Sequence, residues 1–272
     1  MIELYHNAFS TCSQKVRLVL AEKGLDFVSH EIDLIGGGQH HPDYVKLNPK
    51  HVVPTLVHDG RVLVESSLII KYLDDAFPEP PMRPSDAAGR YAVDLWMKRA
   101  DETVHPAAPV VTFAIGPRRL LLQQPAEVRE ANIAAIPDPR AREVRRSVIT
   151  HGVAAPEFAG ALRVFVEALD DMESQLSERR WLSGERFGLA DATLLPYVLR
   201  LEHLAMDPVL DAAVRPSVAD WLARVKALPG YAVAVEAWSP AAVVELMRTG
   251  GKEVWREVAP LTRASAGGAA VR

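Results

Sequence analysis

The rhythm of apolar and polar positions changes once along this chain. Over residues 1–76, short alternating runs are interleaved with one-sided helical stripes. Residues 2–5 predict a short strand. From Thr11 a helix is expected, because Cys12, Val16, Val19 and Leu20 fall at i, i+4, i+7 and i+8 on one face, with Gly24 as its stop. Val28, His30, Ile32 and Leu34 then alternate with Ser29, Glu31 and Asp33, the pattern of a strand with one buried face. A loop at Gly36-Gly37-Gly38 leads to a short segment closed by Asn48-Pro49. Beyond it, residues 55–58 and 61–64 flank Asp59-Gly60. That pair accepts the positive φ of a type I′ turn, so a tight hairpin is expected. Residues 66–73 complete the unit as a helix.

Residues 77–84 hold Pro78, Pro80, Pro81 and Pro84, a density that neither helix nor strand tolerates. After them strand signals nearly vanish. Phe158, Leu162, Phe165, Leu169, Met172 and Leu176 step by four and three, a clean helical stripe, and Val218, Trp221, Leu222 and Val225 start another. The change of grammar predicts a domain over 1–77, a linker over 78–86, an all-helical domain over 87–260 and a flexible tail over 261–272. No internal repeat is visible.

Composition narrows the class. With 49% apolar and 24% charged residues, the chain has the balance of a globular protein with a full-sized core. A net charge of -4 gives no reason to expect nucleic acid or an anionic membrane as partner. Cys12 has no second cysteine to pair with, which fits a reducing compartment. The first residues read as a strand rather than a signal peptide, and no run approaches the ~18 apolar residues of a membrane span. A cytoplasmic location is expected.

Chemistry is concentrated in the first half. Ser10, Thr11, Cys12 and Ser13 stand where a strand turns into a helix, and hydroxyls with unpaired amides at a helix N-terminus favour an anion, a thiolate included. Thr11 with Gln14 three residues on also fits a capping box, which needs no ligand. Val53-Pro54 enters a strand, where proline's missing amide points to a cis turn. The backbone of Val53 could then pair with an extended, peptide-like ligand. Glu65 can hold an ammonium and Ser66 a carboxylate, which suits an α-amino-acid end, though the pair also serves as an ordinary helix cap. Gln39, His40 and His41 lie in a loop; two histidines without a third ligand make a poor metal site, and no metal is expected.

In order and spacing these segments resemble the cytosolic glutathione transferase family, over the chain up to about residue 240. Ser10, Ser13, Lys15, Val16 and Arg17 look like the active-site segment of the serine-type classes, and Ser10-Thr11-Cys12-Ser13 is particularly similar to the zeta class. Leu47-Asn48-Pro49, Val53-Pro54-Thr55-Leu56 and Glu65-Ser66 are further hallmarks. Residues 182–191 resemble the family's helix-start motif, in which Asp191 caps backwards, but Gly188 stands where the family usually has Ser or Thr. An insert over 125–157, together with Gln39-His40, looks similar to bacterial glutathione-dependent β-aryl etherases. Within it Arg140, Arg142, Arg145 and Arg146 read as a solvated helical face, and the insert itself is expected to overhang the electrophile pocket.

The resemblance implies an α/β thioredoxin-like N-terminal domain followed by an all-α C-terminal domain, the glutathione transferase fold. It implies glutathione as co-substrate, a small hydrophobic electrophile as second partner, and a homodimer. Ser10 would touch the glutathione sulfur, with Ser13 and Cys12 as alternates. Val53 and Pro54 would meet the cysteinyl backbone, Glu65 and Ser66 the γ-glutamyl end, and Gln39 and His40 the glycine carboxylate. The expected reaction is attack by the thiolate of glutathione, with β-aryl ether cleavage as one form of it. Two alternatives stay open. One is a Cys12-dependent thiol transferase or lyase, against which the place of Cys12 in the apolar stripe argues; the other is a non-catalytic glutathione-binding protein of this fold. Ser13 is expected on the polar side of its helix with Arg17.

Overall fold

A mixed sheet of order β2-β1-β3-β4 organises the first half of the computed structural model, which describes residues 1–263. The elements follow as β1 (Ile2–His6), α1 (Thr11–Glu22), β2 (Val28–Glu31), α2 (Pro42–Leu47), β3 (Thr55–His58), β4 (Arg61–Leu63) and α3 (Ser66–Ala76). Strand β1 runs parallel to β2 and antiparallel to β3, which pairs antiparallel with β4. Asp59 and Gly60 have φ of 49° and 77°, as a type I′ turn requires, and set Leu56 opposite Leu63. The alternation expected to run on to Leu34 stops at Glu31, and its buried face is missing. β2 lies at the edge with one neighbour, and Val28 stays 45% exposed.

The second half is helical. α4 (Ala87–Arg99) continues through a π-helical turn (Ala100–Val104) into α5 (His105–Ile115). Pro106 explains the turn: it has no N–H to give, and its ring would meet the carbonyl of Glu102 in a regular helix. The ladder widens, and the His105 amide bonds back to the Ala100 carbonyl, five residues earlier. α6 (Arg118–Gln123) leads into the insert, which holds α7 (Ala126–Ala134) and α8 (Pro139–His151), and α9 (Phe158–Glu178), α10 (Leu189–His203), α11 (Pro216–Lys226), α12 (Pro229–Ala234) and α13 (Ala241–Val258) complete the bundle. The stripes read in α9 and α11 are buried at every named position. Leu261 and Thr262, expected in the tail, close a 3-10 turn (Ala259–Thr262); residues 264–272 lie outside the described residues.

One apolar core spans both halves, because α1 packs against α3 on one side and against α10 and α12 on the other. This overturns the expectation of a polar side for Ser13 and Arg17, which are 0% and 1% exposed. Arg17 is satisfied internally: its guanidinium donates to the carbonyls of Asn7, Ala8 and Ala234 and to His6 Nδ1. From the other half, Arg200 donates to the Phe9 carbonyl. The proline-rich segment is pinned, not loose. Lys23 Nζ donates to the carbonyls of Phe77 and Pro80, and Asp74 pairs with Lys23 at 2.8 Å and with Arg83 at 2.7 Å.

The start of α10 accounts for Gly188. A Cβ there would lie 2.3 Å from the Met82 carbonyl oxygen and 2.8 Å from Ser183 Oγ, so no side chain fits. Ser183 Oγ accepts from the Ala190 amide at 3.0 Å and does the work of the absent N-cap hydroxyl. Asp191 caps backwards to the Gly188 amide at 3.1 Å and also accepts from the amides of Leu182 and Ser183 and from Trp221 Nε1.

Candidate active site

At the mouth of α1, Ser10 is the N-cap, and its Oγ accepts from the Ser13 amide at 3.3 Å. The cap is therefore one residue earlier than a Thr11–Gln14 box would put it; Gln14 is buried and its side-chain amide has no hydrogen-bond partner among the described residues. Because Ser10 Oγ only accepts from the backbone, its own proton stays available to a ligand. Ser13 is occupied differently. Its buried Oγ accepts from the Asn7 amide at 3.2 Å and ties the strand-to-helix turn together.

Cys12 departs from its expected place in the apolar stripe. It is half-buried and faces the helical half, where its Sγ lies 3.6 Å from His105 Nδ1. Helical periodicity assigned the residue inward; at the second position of a helix, however, what lies beyond the first turn decides, and here that is the end of the π-helical turn. Burial alone would push the Cys12 thiol up. The His105 charge and hydrogen bond, the Lys15 charge and the Ser66 hydroxyl outweigh it and bring the thiol down to about 6. The Cys12 charge and hydrogen bond raise His105 in turn. Behind the pair, the fully buried Lys15 donates to Ser67 Oγ at 2.9 Å and reaches Asp101 at 3.4 Å, and Ser67 donates to Asp101 at 2.8 Å. Tyr197 stands beside His105 with ring centroids 6.3 Å apart and its hydroxyl buried, where Cys12 and Thr11 are its polar neighbours.

His105, Asp101, Ser67 and Tyr197 were not read from the sequence. The spacing of Asp101 and His105 with Pro106 was the available signal, but nothing in one sequence says that this face meets α1.

The other expected residues fall in three places. Ser66 opens α3 beside Cys12 and is buried, while Glu65 before it has φ of 69°, a strained backbone for a residue with a side chain, and pairs with Lys50. The Val53–Pro54 peptide is cis, just ahead of β3. Gln39 and His40 form a third group: the Gln39 amide lies 3.0 Å from His40 Nε2, and His40 Nδ1 lies 2.9 Å from His51 Nδ1. Burial and the His51 charge hold His40 below its ordinary value. Among the described residues no group of three or more His, Cys, Asp or Glu is placed to hold a metal ion.

The insert packs onto the glycine-rich loop of the first half. Asn132 approaches the Ile35 carbonyl at 3.5 Å, and a Cβ on Gly37 would meet Asn132 Oδ1 at 3.2 Å. A cavity of about 50 Å³ lies between them. The expected solvated arginine face is only partly so. Arg140 is exposed and Arg146 pairs with Glu130, but Arg142 donates to the Ile136 carbonyl and Arg145 turns inward over the Phe113 ring.

Residues 4–81 match the family model for the glutathione S-transferase N-terminal domain, and residues 150–224 that for the C-terminal domain. Maleylacetoacetate isomerase of Pseudomonas aeruginosa is 31% identical over 214 residues, 78% of this chain and 85% of the relative. Glutathione S-transferase TCHQD of Arabidopsis thaliana is 29% identical over 240 residues, 85% and 88% of the two chains. The crystal structure of the β-etherase LigF from Sphingobium sp. strain SYK-6 is similar with a TM-score of 0.79 at 27% identity, covering 87% of this chain and 99% of that one. The chain belongs to the glutathione S-transferase family and is an enzyme of that type, with a thioredoxin-like first half and a helical second half.

Proposed function

We propose that this enzyme ionises the thiol of glutathione at the mouth of α1 and directs it at a small hydrophobic electrophile. The observation that carries this reading is the Ser10 hydroxyl, an N-cap whose proton is not used by the backbone. A free thiol near pKa ~8.5 is only a few per cent ionised at neutral pH. Lowering it by ~2 units takes ~2.7 kcal/mol. The helix terminus supplies ~0.3–2 kcal/mol of that and a charged hydrogen bond the remaining ~1–2 kcal/mol. Val53, Pro54, Glu65, Ser66, Gln39 and His40 are the proposed contacts along the tripeptide. The likeness to LigF favours an aryl ether as electrophile: the thiolate attacks the carbon bearing the aryl oxide, the C–O bond breaks, and the aryl oxide leaves and takes up the proton.

The 3.6 Å pair of Cys12 and His105 supports a second reading. There the Cys12 thiolate attacks the glutathionyl sulfur of a mixed disulfide, releases the partner thiolate, and is itself released by a second glutathione as glutathione disulfide. Calorimetry with glutathione, followed by assays of an aryl ether and of a glutathione mixed disulfide, tests both. No binding at millimolar glutathione would overturn both readings, and turnover of the disulfide alone would leave the second.

The assembly proposed is a homodimer in the cytoplasm. Val62 of β4, Leu68 of α3, and Tyr91 and Leu95 of α4 are exposed apolar side chains suited to a second copy. Light scattering is expected to give twice 29.8 kDa, and a monomer mass at micromolar concentration would refute it.

A further inference from the structure

Arg145 is a half-buried cation to which the described residues supply no anion. Its guanidinium stacks 3.3 Å from the centroid of the Phe113 ring, and burial pushes it down to about 10. Among the described residues no carboxylate or hydrogen-bond acceptor engages it. Stacking uses the face of a guanidinium and leaves its N–H edges free. Drawing such a group even partly out of water is unfavourable unless a counter-charge joins it.

The cavity of about 50 Å³ beside it has the same character. Arg129 lines it as well, and among the described residues no Asp or Glu does, although the chain as a whole carries a net charge of -4. Gln39 and Gln124 each bring a buried side-chain oxygen with no hydrogen-bond partner among the described residues. Turning either amide by half a rotation presents its NH2 to an anion instead, with the Gln39 oxygen then replacing its nitrogen beside His40 Nε2. The space suits one end group rather than a whole ligand, whose pockets run to ~300–1,000 Å³.

We propose that Arg145, with Gln39 and Gln124, forms a carboxylate-binding site where the helical insert meets the glycine-rich loop. A carboxylate could come from the glycine end of glutathione or from an acidic electrophile. The first source rests on the proposed function and the second does not.

Two variants test the site. Arg145→Met keeps the stack on Phe113 and removes the charge; Gln124→Glu keeps the arginine and fills the site with an internal carboxylate. Each is compared with wild type by calorimetry, using glutathione and its glycine ethyl ester. The same proteins are assayed with 4-chloro-3-nitrobenzoate against neutral 1-chloro-2,4-dinitrobenzene. If the site holds the glycine end, both variants lose about 10–100-fold in glutathione affinity while the ester binds all three proteins alike. If it holds the electrophile, glutathione affinity is kept and the preference for the chlorobenzoate falls by about 10–100-fold. The proposal is overturned if wild type binds glutathione and neither quantity changes by more than about twofold, the scale of ordinary surface substitutions. Should Arg145→Met fail to fold, Gln124→Glu decides. Should wild type bind no glutathione, the proposed function fails instead, and calorimetric binding of the chlorobenzoate to wild type and Gln124→Glu decides the site by itself.

Discussion

Cys12 Sγ and His105 Nδ1 lie 3.6 Å apart although 93 positions separate them in the chain. The first turn of α1 supplies one and the end of the π-helical turn the other, so the pair exists only when both halves are assembled. A thiol held down to about 6 favours the thiolate at neutral pH, and that charge in turn raises the imidazole beside it.

Alkylation of Cys12 by iodoacetamide should therefore follow a pH profile with its lower midpoint near 6. His105→Asn removes the charge that opposes burial and should move that midpoint towards the ~8.5 at which free thiols titrate. A wild-type midpoint already in that range would remove the pair from the mechanism.

Three substitutions in α1 separate the roles of its neighbouring residues. Ser10→Ala should lower conjugation by about 5–30-fold at neutral pH, less at high pH where glutathione ionises unaided, and cost ~1 kcal/mol of helix stability through the lost cap. Ser13→Ala leaves the Asn7 amide unpaired in a buried turn, so about 1–3 kcal/mol of stability should go while the pH profile of conjugation keeps its shape. Cys12→Ala decides between the proposed readings: disulfide exchange vanishes under the second, and conjugation largely survives under the first. Steady-state rates across pH for the three variants make the comparison.

Acid should destabilise the fold earlier than carboxylate titration alone would. His6 accepts from Arg17 at Nδ1 and is held neutral, down to about 4, by burial and the Arg17 charge; burial and the charges of Arg200, Lys226 and Arg248 hold His203 down to about 3. Both values lie below the 6.5 of an unfolded histidine, so the unfolded chain binds more protons as pH falls below 6.5. The contribution of neutral His6 and His203 is intact above that pH and is lost from there down towards 3–4. Denaturant titrations should show a loss on the order of 3 kcal/mol between pH 7.5 and 5.5. His203→Leu should reduce that slope; an unchanged slope would show that His203 is not the group responsible.

The start of α10 makes an unusual demand, since restoring the hydroxyl residue usual in the family should harm the protein. Gly188→Ser drives a side chain into the Met82 carbonyl and Ser183, for an expected loss of about 1–3 kcal/mol. Asp191→Ala strands the backbone amides of Leu182, Ser183 and Gly188 together with the Trp221 indole and should cost roughly 3–5 kcal/mol. Equilibrium unfolding measures both, and a more stable Gly188→Ser protein would refute the steric account.

Local signals were legible where local physics decides. The Asp59-Gly60 turn, the stripes of α9 and α11 and the backward cap of Asp191 each depend on a few adjacent residues. Side-chain orientation at α1 was not legible, because Ser13 and Arg17 look polar by type and are buried by what the distant carbonyl of Ala234 and the turn at Asn7 offer them. Cys12 shows the converse. Its helical phase is apolar, yet its surroundings come from a segment that one sequence cannot align with it. Arg145 was read as solvated for the same reason: the stacking ring of Phe113 belongs to α5, outside the periodicity of α8.

The continuous core around α1 also bears on how this chain comes apart. Residues 1–77 cut free would expose the α1 surface that meets α10 and α12, strand the Arg17 guanidinium without the Ala234 carbonyl, and leave Lys15 without Asp101. Two architectures are thus joined into a single cooperative unit, and heat or denaturant meets one transition rather than two. The thioredoxin-like half is no portable module: it could not be grafted onto another helical partner unless that partner supplied a carbonyl for Arg17 and a carboxylate for Lys15.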